Sequence, residues 1–328
     1  MWQLLNESPS QWPQWVKECG GGIFHTPAGV TVGAPLGEVV YARLLSDQGD
    51  IIGVAVGVWY GCRLSQTQCH VHFPSLPALA PGVNIQEVLD DLRKVLSEAG
   101  AAEVQIGSYD ATYLPFCGTQ PRLEYLVPIP PDGNVLPLLS AAHRSHVRRG
   151  GREGWAMRLL EREEASAAIL GVQRVTAERA VTLKRSFLPD EETRWVDLVR
   201  AGLPFGEWGL AVLAAYRDTI LLSAILIGWA GERSFYIMGG STTEGYSRSA
   251  SPWLHIQAMS LLAQCGIRLY NLGGTPTDAV DPSSPSHGLY RFKTGFGVTP
   301  VERSGLRWTI ESGHMKLHSL AATVLLRS

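Results

Sequence analysis

The chain runs through one succession of elements twice, and this repeat limits the fold more than any composition figure. In the first pass, "VVYARLLSDQGDIIGVAVGVWYG" is two apolar runs around a D-Q-G-D turn, the pattern of a β-hairpin. "HVHF" follows as a short strand. "NIQEVLDDLRKVLSEAG" carries Ile85, Val88, Leu89, Leu92, Val95 and Leu96 on one helical stripe, with Asn84 as N-cap and Gly100 as stop. "AEVQIGSYD" then reads as a strand. In the second pass "WAMRLLE" reads as a strand, and 165–187 and 191–201 as helices. "WGLAVLAAYRDTILLSAILIGWAGERSFYIMGG" predicts three strands turning at Arg217-Asp218 and Gly231-Glu232. "SASPWLHIQAMSLLAQCG" predicts a helix, with Ser249 or Ser251 as cap, and "IRLYNLGG" a strand running into a Gly-Gly turn. Trp59 and Gly61 recur as Trp229 and Gly231, and Gly100 recurs as Gly266, at nearly the same separation. The expectation is a duplicated α/β (α+β) domain, the first over residues 1–127 and the second over 128–328.

Bulk properties narrow the function classes. A length of 328 residues suits two ordinary domains, and 45% hydrophobic against 18% charged residues excludes a disordered chain. With a formal net charge of −2 the molecule is no polycation, so any nucleic-acid contact must use a local patch. Five cysteines without a CxxC spacing predict a reduced setting. The N-terminus lacks the pattern of a signal peptide, and the longest apolar run, Ile220–Gly231, is too short to span a bilayer. A soluble, cytoplasmic protein is expected. The tail "HMKLHSLAATVLLRS" is mildly amphipathic; it is expected to pack on the second domain, and a peripheral membrane contact stays open.

Several stretches carry chemistry. In "GLYRFKTGFG", Lys293 stands among Tyr290, Phe292 and Phe296, with Arg291 two residues before it. Such apolar company desolvates an ammonium and strengthens its action on an oxyanion or phosphate. Gly288, Gly295 and Gly297 would let backbone approach a ligand. Arg144, Arg148, Arg149 and Arg152 form the densest basic cluster. Arg144, Arg148 and Arg152 share a helical spacing, and Gly150-Gly151 is expected to end the helix by Arg149. Such arginines suit phosphates or, equally, a solvated helix end. Gly273-Gly274 offers backbone N–H groups past a strand. Asp110, in "IGSYDATY", is placed to hold or deprotonate an amine, with Asp278 and Asp281 as alternatives. "GGSTTEG" is not G-x-S-x-G, and no Ser/His/Asp set presents itself. "CHVH" reads as a half-exposed strand, so no metal is expected.

The order hairpin, strand, helix, strand resembles the N-acetyltransferase-like (GNAT) fold. "HRSHVRRGGREGWAMRLL", "WLHIQAMSLLAQCGIRLYNLGG" and "GLYRFKTGFG" resemble segments of the FemABX family, the second its helix–Gly–"YDLGG" and the third its "GLxxFKxGFG". The resemblance covers about residues 10–305 and is most specific over 253–297. It implies tandem GNAT-like domains with mixed sheets flanked by helices. It implies an aminoacyl- or acyltransferase forming an amide on an amine acceptor, nucleotide-linked or lipid-linked, in peptidoglycan precursor synthesis. The co-substrate would be an aminoacyl-tRNA, with no tightly bound cofactor. Alternatives are an N-acyltransferase using acyl-CoA or a carrier-protein thioester, and a non-catalytic binding module. The resemblance makes Lys293 catalytic beside Asp110. It makes Arg144, Arg148, Arg149, Tyr270, Gly273, Gly274, Tyr290, Arg291, Phe292 and Phe296 the substrate-binding candidates. Asn271 departs from the family pattern, standing where an aspartate is common. A CoA-type pyrophosphate loop finds only a near miss in "RRGGREG", where Glu153 fills the last place. The oligomeric state is not legible.

Overall fold

A computed structural model describes residues 1–33, 37–60, 69–110, 119–182, 195–199 and 207–310. The first pass contains β1 (Trp2–Leu5), α1 (Trp12–Glu18), α2 (Pro27–Gly33), β2 (Glu38–Leu45), β3 (Ile51–Tyr60), β4 (Cys69–Phe73), β5 (Ala78–Leu79), α3 (Ile85–Glu98) and β6 (Ala101–Ile106). The second contains β7 (Thr119–Pro128), α4 (Ala141–Arg152), β8 (Ala156–Leu160), α5 (Arg162–Thr182), β9 (Trp208–Arg217), β10 (Ile220–Ala230) and β11 (Arg233–Ser241). It continues with α6 (Thr243–Arg248), α7 (Ala250–Gln264), β12 (Leu269–Pro276), α8 (His287–Thr294) and β13 (Val301–Thr309). These form mixed α/β structure, as expected. Two compact units result among the described residues, Pro121–Arg303 forming one, and Met1–Gln120 with Ser304–Ile310 forming the other. The sequence places the division after residue 127, near the end of β7, whereas the units divide after Gln120, near its start.

The duplication is visible in the strand order. The first unit's sheet runs β1-β2-β3-β4-β6-β13, with β5 also paired to β3. The second runs β8-β9-β10-β11-β12-β7. In both, the fourth and fifth strands of that order are parallel and the other pairs along it antiparallel. A parallel pair needs a crossover, and α3 and α7 provide the two crossovers. The sixth strand of each sheet flanks the other elements of the second pass: β7, just before them, joins the second sheet, and β13, just after them, joins the first. No local pattern in the sequence announces that return of β13 to the first sheet.

Helix α3 is amphipathic in the expected register. Leu89, Leu92 and Leu96 are buried in one cluster with Val71, Phe73, Val104 and Ile106, while Ile85, Val88 and Val95 pack at its margin. Full burial of a leucine contributes about 1.5–3 kcal/mol relative to exposure. Asn84 Oδ1 accepts the Gln86 N–H at 3.0 Å, and Gly100 takes φ +95° just past the helix. Asn84→Ala is expected to cost about 1 kcal/mol, read as a lower urea midpoint with an unchanged slope.

Helix α7 is of the other kind. Ten of its residues are buried, because it packs on β9, β10 and β11 and also against α4 and α6. Ser249 holds its N-cap position in the left-handed region (φ +57°) without a side-chain cap bond. Against α7, Gly150 lets α4 approach so closely that a β-carbon there would collide with the Trp253 indole. Gly150-Gly151 therefore does not end the helix as expected. α4 continues to Arg152 and stops before Gly154, which takes φ +65°. Of the stretch 191–201, the described part 195–199 holds a single 3-10 turn, Val196–Leu198, in place of a helix. The tail beyond residue 310 lies outside the described residues.

Candidate active site

Strand β12 holds the centre of the site. Its pairing with β7 slips between Asn271 and Gly274, so Leu272 and Gly273 face the single residue Tyr125. That is a β-bulge, and it replaces the expected terminal turn: Gly273-Gly274 lies inside the strand. Gly273 takes φ +72°, which a side chain would strain. Its N–H donates to Asn271 Oδ1 at 2.8 Å and so is spent within the bulge. Gly274 is needed for space, since a β-carbon there would collide with the Arg122 guanidinium.

Lys293 reaches this bulge from α8. It is only 3% exposed. Its Nζ donates to the Leu272 carbonyl at 2.7 Å and to the Gly274 carbonyl at 3.0 Å, and lies 5.5 Å from the Tyr125 ring centroid. Burial, reinforced by Arg122 and partly offset by Glu124, brings the ammonium down to about 7. Two carbonyls take two N–H bonds in either protonation state. The neutral amine then keeps one lone pair, and the ammonium one N–H, for a reacting group. The seat thus fixes one direction of proton exchange, with a group near its titration midpoint at neutral pH.

A buried charge cluster supports the seat. Glu124 is fully buried, 3.2 Å from Arg122 Nη2 and 3.7 Å from Arg303 Nε. Asn271 Nδ2 donates to Glu124 Oε2 at 2.9 Å. Two guanidiniums and the lysine against one carboxylate leave the cluster with more positive than negative groups, which suits a developing anion.

Two histidines hold the motif from behind. His143 on α4 has Nε2 3.0 Å from the Phe292 carbonyl, so Nε2–H donates in the neutral ring. Burial pushes His143 down to about 4, and its Nδ1 finds no partner among the described residues. Gly295 admits this ring, since a β-carbon there would overlap the imidazole; at Gly297, φ +77°, one would overlap the Leu138 carbonyl. Those two motif glycines therefore serve packing, where the sequence assigned them to a ligand. Nothing lies within 4 Å of a β-carbon at Gly288. His255 Nδ1 pairs with the Tyr270 hydroxyl at 2.8 Å, and burial with the nearby Lys293 charge depresses it to about 3. The sequence reading passed over His255. A histidine inside the apolar run "WLHIQAM" must find a polar partner, and that was its signal.

The remaining candidates are placed as follows. Tyr270 is wholly buried, with its hydroxyl on His255. Phe296 is buried and Phe292 half-buried, their centroids 5.5 Å apart, with both rings also against His143 and His255. Tyr290 stacks on His287 at 5.7 Å, and Arg291 is exposed. Arg144 donates to the Leu139 carbonyl, and Arg149 to the Arg248 carbonyl at 3.2 Å. Arg148 lines an open hollow of about 560 Å³ with Ser145, Gly151 and Arg152. Asp110 lies in the first unit, just past β6, with φ +55°. Of the alternatives, Asp281 accepts from the Ser283 N–H at 2.8 Å and Asp278 from the Ser284 hydroxyl at 3.1 Å, both within their own loop. On β4, His70 faces Glu103 at 3.4 Å; no metal-binding group of three or more His, Cys, Asp or Glu occurs among the described residues.

The segment that holds Lys293 and the β12 bulge falls within a stretch that matches a known family. Residues 210–321 match the FemAB family. The lipid II:glycine glycyltransferase of Staphylococcus haemolyticus is 29% identical over 94 residues, covering 29% of this chain and 22% of that protein. Its counterpart in Staphylococcus aureus is 34% identical over 92 residues, covering 27% and 21%. The chain thus spans about a fifth of the length of the curated relatives it matches. Among solved structures, FemX aligns with 96% of this chain and 99% of its own at a TM-score of 0.72 and 15% identity. L-PGS from Bacillus licheniformis aligns with 98% of each chain at 0.52 and 12% identity, a likeness of fold alone. Residues 210–321 thus match the FemAB family and the chain shares the fold of FemX, so the FemABX resemblance read from the sequence is borne out.

Proposed function

We propose that the protein is an amide-forming transferase of peptidoglycan-precursor synthesis that moves an aminoacyl group onto the free amine of a lipid-linked acceptor. The observation that carries this reading is Lys293, buried on the β12 bulge inside the FemAB-family segment with one N–H or lone pair left over. In the step proposed, the acceptor amine attacks the donor's ester carbonyl and a C–N bond forms. The resulting oxyanion takes the remaining Lys293 N–H. The C–O bond then breaks, and the proton that the attacking amine loses passes to the leaving oxygen. Aligning the two reactants supplies much of the rate, so no covalent nucleophile is required.

An aminoacyl-tRNA suits the ester donor. "RRGGREG" lies within and at the end of α4 and not in a loop ahead of a helix, which counts against a CoA pyrophosphate seat there. Full-length protein would be incubated with a lipid-linked muropeptide bearing a free amine, with either charged tRNAs or acyl-CoAs. Label passing to the acceptor from charged tRNA alone is the expected result. Label from CoA alone would replace the donor, and none from either would favour a binding module.

A further inference from the structure

We propose that the surface running from Leu136 along the outer face of α4 docks on an anionic lipid bilayer. Leu136 and Leu138 are 42% and 38% exposed, among the few large apolar side chains of the described residues that are. They bracket Pro137 in a one-turn 3-10 helix, Leu136–Leu138, while the neighbours Val135 and Leu139 are buried. The turn is pinned at its C-terminal side. The Ser140 N–H donates to the Gly295 carbonyl at 2.9 Å, and the Leu138 carbonyl lies against Gly297.

The exposed face of α4 continues this strip through Ala141, Ala142, Ser145, Arg148, Gly151 and Arg152. From Val135 to Arg152 the chain has four arginines and no acidic residue. The first carboxylate, Glu153, is engaged by Arg248 at 2.7 Å and pairs with Arg149 at 3.9 Å, which leaves Arg148 and Arg152 as the cations of the exposed face. An apolar wedge beside an uncompensated cationic face is the pattern that lies on an anionic membrane surface: the leucines enter the interface and the arginines meet headgroup phosphates. Nucleic acid would use the arginines but gain nothing from two aliphatic side chains; single strands are gripped by stacking on aromatic rings, and this strip has none. The inference deepens the proposed function, since a lipid-linked acceptor lies in such a surface. It stands on its own geometry, however, and is tested without turnover.

The test is co-sedimentation of the full chain with vesicles of phosphatidylcholine alone or mixed with phosphatidylglycerol. Binding is expected only to the mixed vesicles and should fade as salt rises. Arg152→Glu should weaken it at least roughly fivefold, and the double change Leu136→Ser with Leu138→Ser should abolish it while leaving the thermal melt unchanged. No preference for anionic vesicles, or binding indifferent to the leucine change, overturns the proposal. So does uncharged tRNA displacing vesicles from the wild type while the leucine variant still binds them. With a water-soluble amine acceptor the leucine variant should turn over like the wild type. If neither turns over yet vesicles bind as described, the transferase reading fails and the docking surface remains.

Discussion

Replacing Lys293 by methionine is expected to slow amide formation roughly 100- to 1,000-fold, the usual cost of removing one donor to a developing oxyanion. The drop should fall on kcat, since the group acts on charge that appears during the reaction. Methionine keeps much of the length and apolar bulk, so the fold should survive. Stability gives a second, independent reading. In the folded protein the Lys293 ammonium titrates near 7 against 10.5 when free. Between those values the unfolded chain holds a proton that the folded chain has released, so stability rises with pH across the window. The gain is of the order of 5 kcal/mol over the full interval. Cys19, which burial pushes up to about 11, and Tyr125, Tyr236 and Tyr270, also raised by burial, work the other way once the free thiol and then free tyrosine ionise. The range to measure is therefore pH 7 to 9, with the same thiol loss in both proteins near its upper end. Urea midpoints of the wild type should climb across it, and those of Lys293→Met should stay level apart from that loss. Parallel curves, or undiminished turnover in the variant, would remove Lys293 from the role given to it.

Much of the frame behind that lysine was legible, because it is written locally. The α3 stripe, the hairpin turns at Asp218 and Gly231, and the order of elements in the two passes follow from periodicities of 3.6 and 2 and from turn chemistry. The burial of Lys293 was legible too, from its place among aromatics. What escaped is decided by distant partners. Gly273-Gly274 reads as a turn because turns and bulges both accept positive φ, and only the pairing with β7 separates them. Gly150 looks like a helix stop until Trp253 is seen to need its missing side chain. Gly295 and Gly297 look like ligand glycines until His143 and Leu138 fill the space. Glu124 sits in an ordinary alternating strand, and nothing in "PRLEYLV" says that its carboxylate is buried between two arginines.

Glu124 also accounts for the departure at Asn271. An amide at this position accepts the Gly273 N–H and donates to Glu124, 2.8 and 2.9 Å away. An aspartate could accept, but as an anion it could not donate, and it would set a second carboxylate against the first. Two buried carboxylates in contact repel, so the pair holds one proton to higher pH than a free carboxyl does, even beside Arg122 and Arg303. Asn271→Asp is therefore expected to cost of the order of 3 kcal/mol at pH 8. The sign follows from proton counts. Across the interval between an ordinary carboxyl pKa and the raised one, the folded variant binds a proton that the unfolded chain lacks. Its stability must then fall as pH rises through that interval. Most of the loss should return near pH 5, where the introduced carboxyl, once protonated, can again donate to Glu124. The second change Glu124→Gln removes the like charge and restores a donor, so Asn271→Asp should be far less costly in that background. A double-mutant cycle on urea midpoints at pH 5 and pH 8 measures this coupling. If Asn271→Asp costs the same at both pH values, or the same with the Glu124→Gln change as without it, the two side chains are not the coupled pair that holds the bulge under Lys293.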